Sequence, residues 1–334
     1  MRAARIHRYG DPDVFQVEEV PDPTPGPGDV LIEVHAASVN PVDYKIRQGG
    51  QRAIIHYKLP WILGLDVSGV VLEVGAGVTR FEVGDEVYAS PTHRRPGTYA
   101  EKVVIREGAV ARKPRNMSHH EAATIPLVGL TTWDALVVKG RLEAGHKALI
   151  HAGSGGVGTF AIQLAKDLGA HVATTCSERN AELVRSLGAD EVIDYRSTQF
   201  EDVLSGYDYV LDAIGGETRE RSLQVLKRGG HLATMIGGFP AATMKHGPVK
   251  GALVAVGGLA SITLRAKFKH GVTMSHVLRE DDGLVLEQQI TRRIEAGAIR
   301  AVVDKTYPLH EIAEAHRQIE TGRTRGKLVI AVKK

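Results

Sequence analysis

The sequence predicts an α/β chain in which a doubly wound parallel sheet is inserted into a small β-barrel, and three observations carry that prediction. About the first 120 residues are rich in Val, Gly and Pro and break into short alternating runs. From about Glu121 strand-sized and helix-sized segments alternate. From Ile299 the texture of the beginning returns, so both chain ends complete the barrel. The expected division is a barrel domain over 1–122, a dinucleotide-binding domain over 123–278, and a barrel-completing part over 279–334.

Taken in order, residues 29–35, 67–74, 85–88 and 100–105 alternate apolar with polar side chains. Turn clusters at 21–28 and 75–77 separate them, which reads as barrel strands. Next come a strand at 146–152, a helix at 156–168, a strand at 171–175, a helix at 178–187 and a strand running to Tyr195. A strand at 207–213, a helix reaching Leu226, a strand at 231–236 and a last strand within 271–278 follow. Repeated βα units imply a parallel sheet with helices on both faces. Residues 284–295 are amphipathic, and 299–332 mix strand and helix.

Composition excludes several classes. Cys176 is the only cysteine, so the chain closes no internal disulfide and supplies no thiolate-rich structural zinc site. A formal charge of +3, with basic residues scattered, predicts no nucleic-acid footprint. The 15 histidines show no ligand spacing, and His119-His120 reads as an exposed pair at a helix start. The N-terminus has no apolar h-region and no Ser-rich amphipathic stretch, so a cytoplasmic location is expected. The longest apolar run, 249–264, carries Lys250 and Gly257-Gly258 and falls short of a bilayer span. It reads as a helix packed on the protein, with no membrane partner expected.

The strongest motif lies between an apolar strand and an apolar-periodic helix. Gly153-Ser154-Gly155-Gly156-Val157-Gly158 fits the G-x-G-x-x-G frame, whose glycines permit a tight turn, close approach of a pyrophosphate, and close helix packing. The end of the following strand selects the dinucleotide. Glu178 stands 20 residues past Gly158, a spacing that suits NAD, yet it begins the next helix. The strand-end residues are Thr175, Cys176 and Ser177, and Ser177 with Arg179 suits a phosphate, so NADP(H) is the expected cofactor. Ser177 also qualifies as a helix N-cap.

Several ordered matches then accumulate: Asn40-Pro41-Val42-Asp43-Tyr44-Lys45, Gly64-Leu65-Asp66, Gly97-Thr98-Tyr99-Ala100-Glu101, Gly129-Leu130-Thr131-Thr132, the glycine loop, Leu187-Gly188-Ala189-Asp190 and Gly326-Lys327-Leu328-Val329. Over its whole length the chain resembles the medium-chain dehydrogenase/reductases, and within them the zinc-independent quinone oxidoreductases related to zeta-crystallin. The Asn-Pro-Val-Asp-x-Lys form is most similar to the alkenal/enone reductase branch. The resemblance implies a GroES-like barrel and a Rossmann domain, NADPH, and a homodimer through the last Rossmann edge strand. Zinc enzymes of this superfamily carry a His-Glu pair where this chain has Leu65-Asp66, and a cysteine within the stretch 38–43. No metal site is therefore expected.

The resemblance also places Ser177 and Tyr195 at the 2′-phosphate, with Asn180 where relatives carry a lysine, so that Arg179 or Arg196 must supply the charge. It places Thr131 near the nicotinamide, the turns Ala213-Ile214-Gly215 and Ile236-Gly237-Gly238 along the ribose and ring, and Lys327 near the cleft end. Without a metal, the remaining chemistry is hydride transfer to a quinone or an α,β-unsaturated carbonyl, with hydrogen bonds to the oxygen that gains charge. Asn40, Tyr44 and Lys45 are the candidate donors, and Lys45 reads equally as a solvated surface lysine. Trp61 reads either as a ring stacking on the acceptor or as a core anchor. An enoyl-thioester reductase, and a nucleotide-binding structural or RNA-associated protein with little turnover, stay open as alternatives.

Overall fold

The computed structural model describes every residue except 53, 54, 56, 93, 236–241, 243, 244, 278–280 and 334. The chain divides into two compact units, Met1–Leu130 with Glu280–Lys334, and Thr131–Arg279.

In the first unit, strands β1 (Arg2–Ile6), β2 (Phe15–Glu19) and β4 (Trp61–Ile62) form a small antiparallel sheet. Its larger sheet contains β3 (Asp29–Val39), β5 (Val67–Val74), β6 (Glu86–Ala89), β7 (Lys102–Arg106), β8 (Val110–Arg112), β15 (Val303–Pro308) and β16 (Lys327–Ala331). The long β3 organises it. One edge pairs with β5, while the other pairs first with β7 through Asp29 to Glu33 and then with β16 through Ala36 to Val39. Irregularities in its register bend the strand, as extra residues in a ladder do. Because the C-terminal β16 seals a strand from the first forty residues, the unit needs both ends of the chain. Val30, Ile32, Val71, Val87 and Ile105 fill one cluster of this core. Ile6, Val39, Ile46, Tyr99, Ile312 and Ile330 fill another.

The second unit holds six parallel strands: β9 (Lys147–Ile150), β10 (His171–Cys176), β11 (Glu191–Asp194), β12 (Tyr207–Asp212), β13 (Leu226–Thr234) and β14 (Thr273–His276). Their order is β11-β10-β9-β12-β13-β14. Strand order therefore reverses between β9 and β12, and ligands of such sheets bind outside the carboxyl ends of the strands at that switch point. The helix Gly156–Asp167 packs Phe160, Ala161, Ile162 and Leu164 inward, which is why its apolar period reads so clearly from sequence.

Three expectations change here. The helix expected over 178–187 opens with a tighter 3-10 turn, Glu178–Asn180, and is α-helical over Ala181–Ser186. The strand β13 starts five residues early, where Leu226 pairs with Tyr207 before the ladder resumes at His231. His119 is not an exposed residue: its Nδ1 lies 2.8 Å from Ser68 Oγ, its Nε2 lies 3.1 Å from Glu86, and its ring lies 4.3 Å from that of His35. Burial pushes its pKa down to about 4.

Candidate functional site

The first unit builds its polar centre where β3 ends and the helix Pro41–Arg47 begins. Asn40 is the N-cap of that helix, and Pro41 suits the first helical position because its missing N–H had no partner to lose. The carboxylate of Asp66 collects four donors. Ser38 Oγ and Asn40 Nδ2 each donate at 2.8 Å, Lys327 Nζ at 3.1 Å, and the backbone N–H of Leu127 at 2.7 Å. Lys327 also donates to Asn40 Oδ1. Ser38, Asn40, Asp66 and Lys327 are all buried.

This network fixes the asparagine amide. An ammonium can only donate and a carboxylate can only accept, so Oδ1 faces Lys327 and Nδ2 faces Asp66. One N–H of Asn40 is spent on Asp66, and its other N–H has no hydrogen-bond partner among the described residues. Beneath it, Asp43 Oδ2 accepts from the backbone N–H of Asn40 at 2.8 Å and from Tyr99 OH at 2.9 Å. Asp43 Oδ1 is buried without a partner among the described residues. Burial pushes the Asp43 carboxyl up to about 7, against the pull of those two hydrogen bonds.

Tyr44 and Lys45 are half-buried on the same helix. Burial raises the Tyr44 phenol above its ordinary pKa, with Glu320 adding to the effect, and lowers the Lys45 ammonium below its own. Among the described residues Lys45 forms no ion pair. Trp61 is half-buried against the barrel core, 5.4 Å from the ring of Tyr57, and also lines a cavity with Pro60, Ile62 and Arg95.

The second unit builds its centre mainly from backbone. Gly155 is the N-cap of the helix Gly156–Asp167, whose first N–H groups have no partner within the helix and face the switch point between β9 and β12. Two glycines of the loop are required by packing. A Cβ on Gly153 would stand 2.0 Å from Thr174 Oγ1, and one on Gly158 would stand 2.3 Å from the carbonyl of Ala152. Gly155 differs, since an added Cβ there would meet only the Ala152 carbonyl, at 3.4 Å. Protein packing does not demand glycine at 155, whereas close approach of a phosphate there would. Ser154 and Val157 complete the loop.

Asn180 ties this loop to the next strand end. Its Nδ2 donates to Ser154 Oγ at 2.9 Å and to Ser177 Oγ at 3.3 Å, while its Oδ1 is buried and unpartnered among the described residues. Because β10 and β11 run parallel with Cys176 opposite Asp194, Ser177 and Tyr195 emerge side by side. Ser177 is buried, Arg179 and Tyr195 are exposed, and the Arg196 guanidinium lies 5.9 Å from the Tyr195 ring. No carboxylate ends β10, for Glu178 sits exposed in the following turn. Cys176 is buried and its thiol is pushed up to about 11, chiefly by burial, which leaves it a core residue.

The sequence reading missed Asp212. This buried carboxylate ends β12 and accepts from the backbone N–H groups of Ile214 at 3.0 Å and Gly215 at 2.7 Å, while Thr234 Oγ1 donates to its other oxygen at 2.7 Å. It holds the Ala213-Ile214-Gly215 turn, in which Gly215 has a φ of 79°. Its signal was an Asp directly before an Ala-Ile-Gly turn. Ser38 was likewise missed as a functional residue, and Asp66 was noticed only for what it replaces. Thr131 is nearly buried in the helix Pro126–Trp133. Ile236, Gly237 and Gly238 lie outside the described residues.

The doubly wound sheet with a glycine cradle, joined in sequence to a barrel with an asparagine-centred polar cluster, defines a two-part dinucleotide-dependent oxidoreductase. The chain belongs to the medium-chain dehydrogenase/reductase family, in its zinc-independent quinone oxidoreductase branch. The profile of the alcohol dehydrogenase GroES-like domain matches residues 26–115, and that of the zinc-binding dehydrogenases matches 187–330. The chain is 40% identical over 327 residues to the mitochondrial NAD(P)H oxidoreductase RTN4IP1 of Bos taurus, covering 92% of this chain and 82% of that protein. It is 35% identical to the chloroplastic NADPH-dependent alkenal/one oxidoreductase of Arabidopsis thaliana, covering 99% and 79%. The crystal structure of Escherichia coli quinone oxidoreductase complexed with NADPH superposes with a TM-score of 0.82 at 27% identity, over 99% of this chain and all of that one.

Two points follow from these likenesses. The expectation of a cytoplasmic location is corrected, because these relatives are mitochondrial and chloroplast proteins and lend it no support. The residues present also do not fit the zinc that one family profile is named for. The Asp66 carboxylate is saturated by hydrogen-bond donors, one of them an ammonium, and the lone thiol belongs to the other unit.

Proposed function

We propose that this chain is an NADP(H)-dependent reductase of quinones or α,β-unsaturated carbonyls that works without a metal. The observation that carries the proposal is the Lys327 ammonium seated on Asp66 and Asn40, where a Lewis-acid site would need free anionic ligands. An acceptor that is not polarised by a metal must already be electrophilic, as a quinone carbonyl or a conjugated β-carbon is. When bound, the dinucleotide supplies a hydride. The protein's part is to hold both partners and to stabilise the oxygen that gains charge.

Asn40 is built for the second task, since its amide is locked and one N–H is unspent. Lys45 offers an ammonium that gives up its proton more readily than an ordinary lysine, and Tyr44 a phenol on the same helix. The proton that completes reduction comes from water. On the dinucleotide side, the backbone cradle at Gly155 to Gly158 takes the pyrophosphate. Ser177, Arg179, Tyr195 and Arg196 take the 2′-phosphate, with Asn180 holding Ser177 in place. The relatives named NAD(P)H or NADPH-dependent oxidoreductases support a nicotinamide cofactor, and the missing carboxylate at the end of β10 favours the phosphorylated form. A homodimer through the edge strand β14 fits the same reading.

The test is a substrate panel of 1,4-benzoquinone, an alkenal and an enoyl-CoA, with NADPH and NADH consumption followed by absorbance. Expected are turnover on quinone or alkenal, preference for NADPH, and no change with chelator. Arg179→Ala should lower the preference for NADPH over NADH about tenfold, the worth of one charge-assisted contact. Loss of activity in EDTA with recovery on adding zinc would reject the proposal. Turnover confined to enoyl-CoA would move it to the thioester reductases.

A further inference from the structure

The helix Pro248–Arg265 continues through a wider turn to His270, and residues Lys250–His270 are long and apolar enough to cross a membrane by length and composition. It does not need to span one to explain its sequence. Gly251, Ala255, Ile262 and Ala266 form a stripe buried in the second unit, where Ile262 and Ala266 join the core with Leu223 and Val272. A surface helix with that inner stripe ordinarily carries a polar outer face. This one does not. At helical spacing Leu253, Gly257, Ala260 and Leu264 run along the opposite side, with Val254 and Val256 beside them and Phe268 beyond. Leu253 is 69% exposed, Leu264 55% and Phe268 78%.

Charge is one-sided over the same region. No Asp or Glu occurs between Glu220 and Glu280. Lys250 stands exposed at one end of the apolar ridge, with Lys267 and Lys269 exposed at the other. Arg265 is the exception, paired with Glu220 at 2.9 Å. A convex ridge of aliphatic side chains offers a partner nothing directional to bond, which suits a fluid apolar phase. A second copy seated ridge on ridge would set Lys250, Lys267 and Lys269 against lysines of the same kind with no carboxylate between them.

From this we infer that the ridge from Leu253 to Phe268 is a docking surface for an anionic lipid bilayer. The helix lies along the bilayer, its outer side chains sink below the headgroups, and Lys250, Lys267 and Lys269 meet lipid phosphates. The inference is independent of which acceptor is reduced, and binding is read without turnover.

The experiment is flotation of the full-length protein with vesicles of phosphatidylcholine alone, or with roughly one-third phosphatidylglycerol, at low and high salt. Expected is at least about tenfold more protein on the anionic vesicles, reversed by salt. The triple variant Leu253→Ser, Leu264→Ser, Phe268→Ser should lose about tenfold of that binding, and Lys267→Glu with Lys269→Glu a similar amount. All changed side chains are exposed, so circular dichroism and turnover of a soluble quinone should match the parent. Equal partition onto both vesicle types overturns the inference. So does sedimentation showing a dimer that the triple variant abolishes, which would give the ridge to a second copy.

Discussion

The two polar centres of this protein are made of different material. In the second unit the centre proposed to hold the dinucleotide is backbone: a glycine turn, a helix N-terminus and a capped turn after β12, drawn mostly from contiguous residues. In the first unit the centre is side chain: Ser38, Asn40, Asp66 and Lys327 come from three distant stretches and satisfy one another. A backbone site tolerates change in most side chains and fails where a Cβ intrudes. A side-chain network tolerates little, because removing one member strands another inside the protein.

The largest expected effect breaks the network. Asp66→Ala leaves the Lys327 ammonium buried and unpaired, and chemical denaturation should show a loss of about 3–5 kcal/mol. Adding Lys327→Met should restore much of that stability but not activity, because Asn40 then loses both groups that orient it. Strict additivity of the two stability losses would contradict the coupling.

Asp43 sharpens the contrast through pH. Its folded carboxyl titrates at about 7 against an ordinary 3.8, so between those values the folded protein keeps a proton that the unfolded chain has released. The stabilisation is present in full below the lower value and is lost as pH rises through the upper one. Relative to Asp43→Asn, the parent should lose on the order of 2–4 kcal/mol from pH 4 to pH 8. Parallel stability curves for the two proteins would remove Asp43 as the cause.

The cradle should respond differently. Gly158→Ala forces a Cβ to 2.3 Å from a carbonyl and should cost about 1–3 kcal/mol together with NADPH affinity. Gly155→Ala, at an ordinary φ of −82°, should leave the melting temperature nearly unchanged while weakening NADPH about tenfold in a fluorescence titration. If Gly155→Ala binds NADPH normally, the phosphate does not approach there.

This contrast also explains what was legible beforehand. The turn at Gly153 to Gly158 could be read ahead of the structure because a tight turn and close helix packing each impose glycine at a fixed spacing within one short segment. The βα alternation of residues 146–276 was readable for a similar reason, since hydrophobic period is a local property. The partners of Asp66 were not readable, for nothing near it in sequence announces Lys327, 261 residues away. His119 looked solvated because its neighbours Ser68, Glu86 and His35 arrive from other strands. The run 249–264 looked like an ordinary packed helix because composition does not tell which face of an all-apolar helix meets the core.

By itself, then, the sequence determined the order of elements, the glycine turn ahead of the helix Gly156–Asp167 and the want of a carboxylate at the end of β10, all set by local sterics, hydrophobic period or residue type. Only the tertiary structure decided that Lys327 neutralises Asp66 and orients Asn40, that Asp212 holds the turn at Gly215, and that Leu253, Leu264 and Phe268 face outward. Those outcomes depend on strand pairing between chain segments far apart in sequence, and on burial, which no residue possesses until its neighbours are in place.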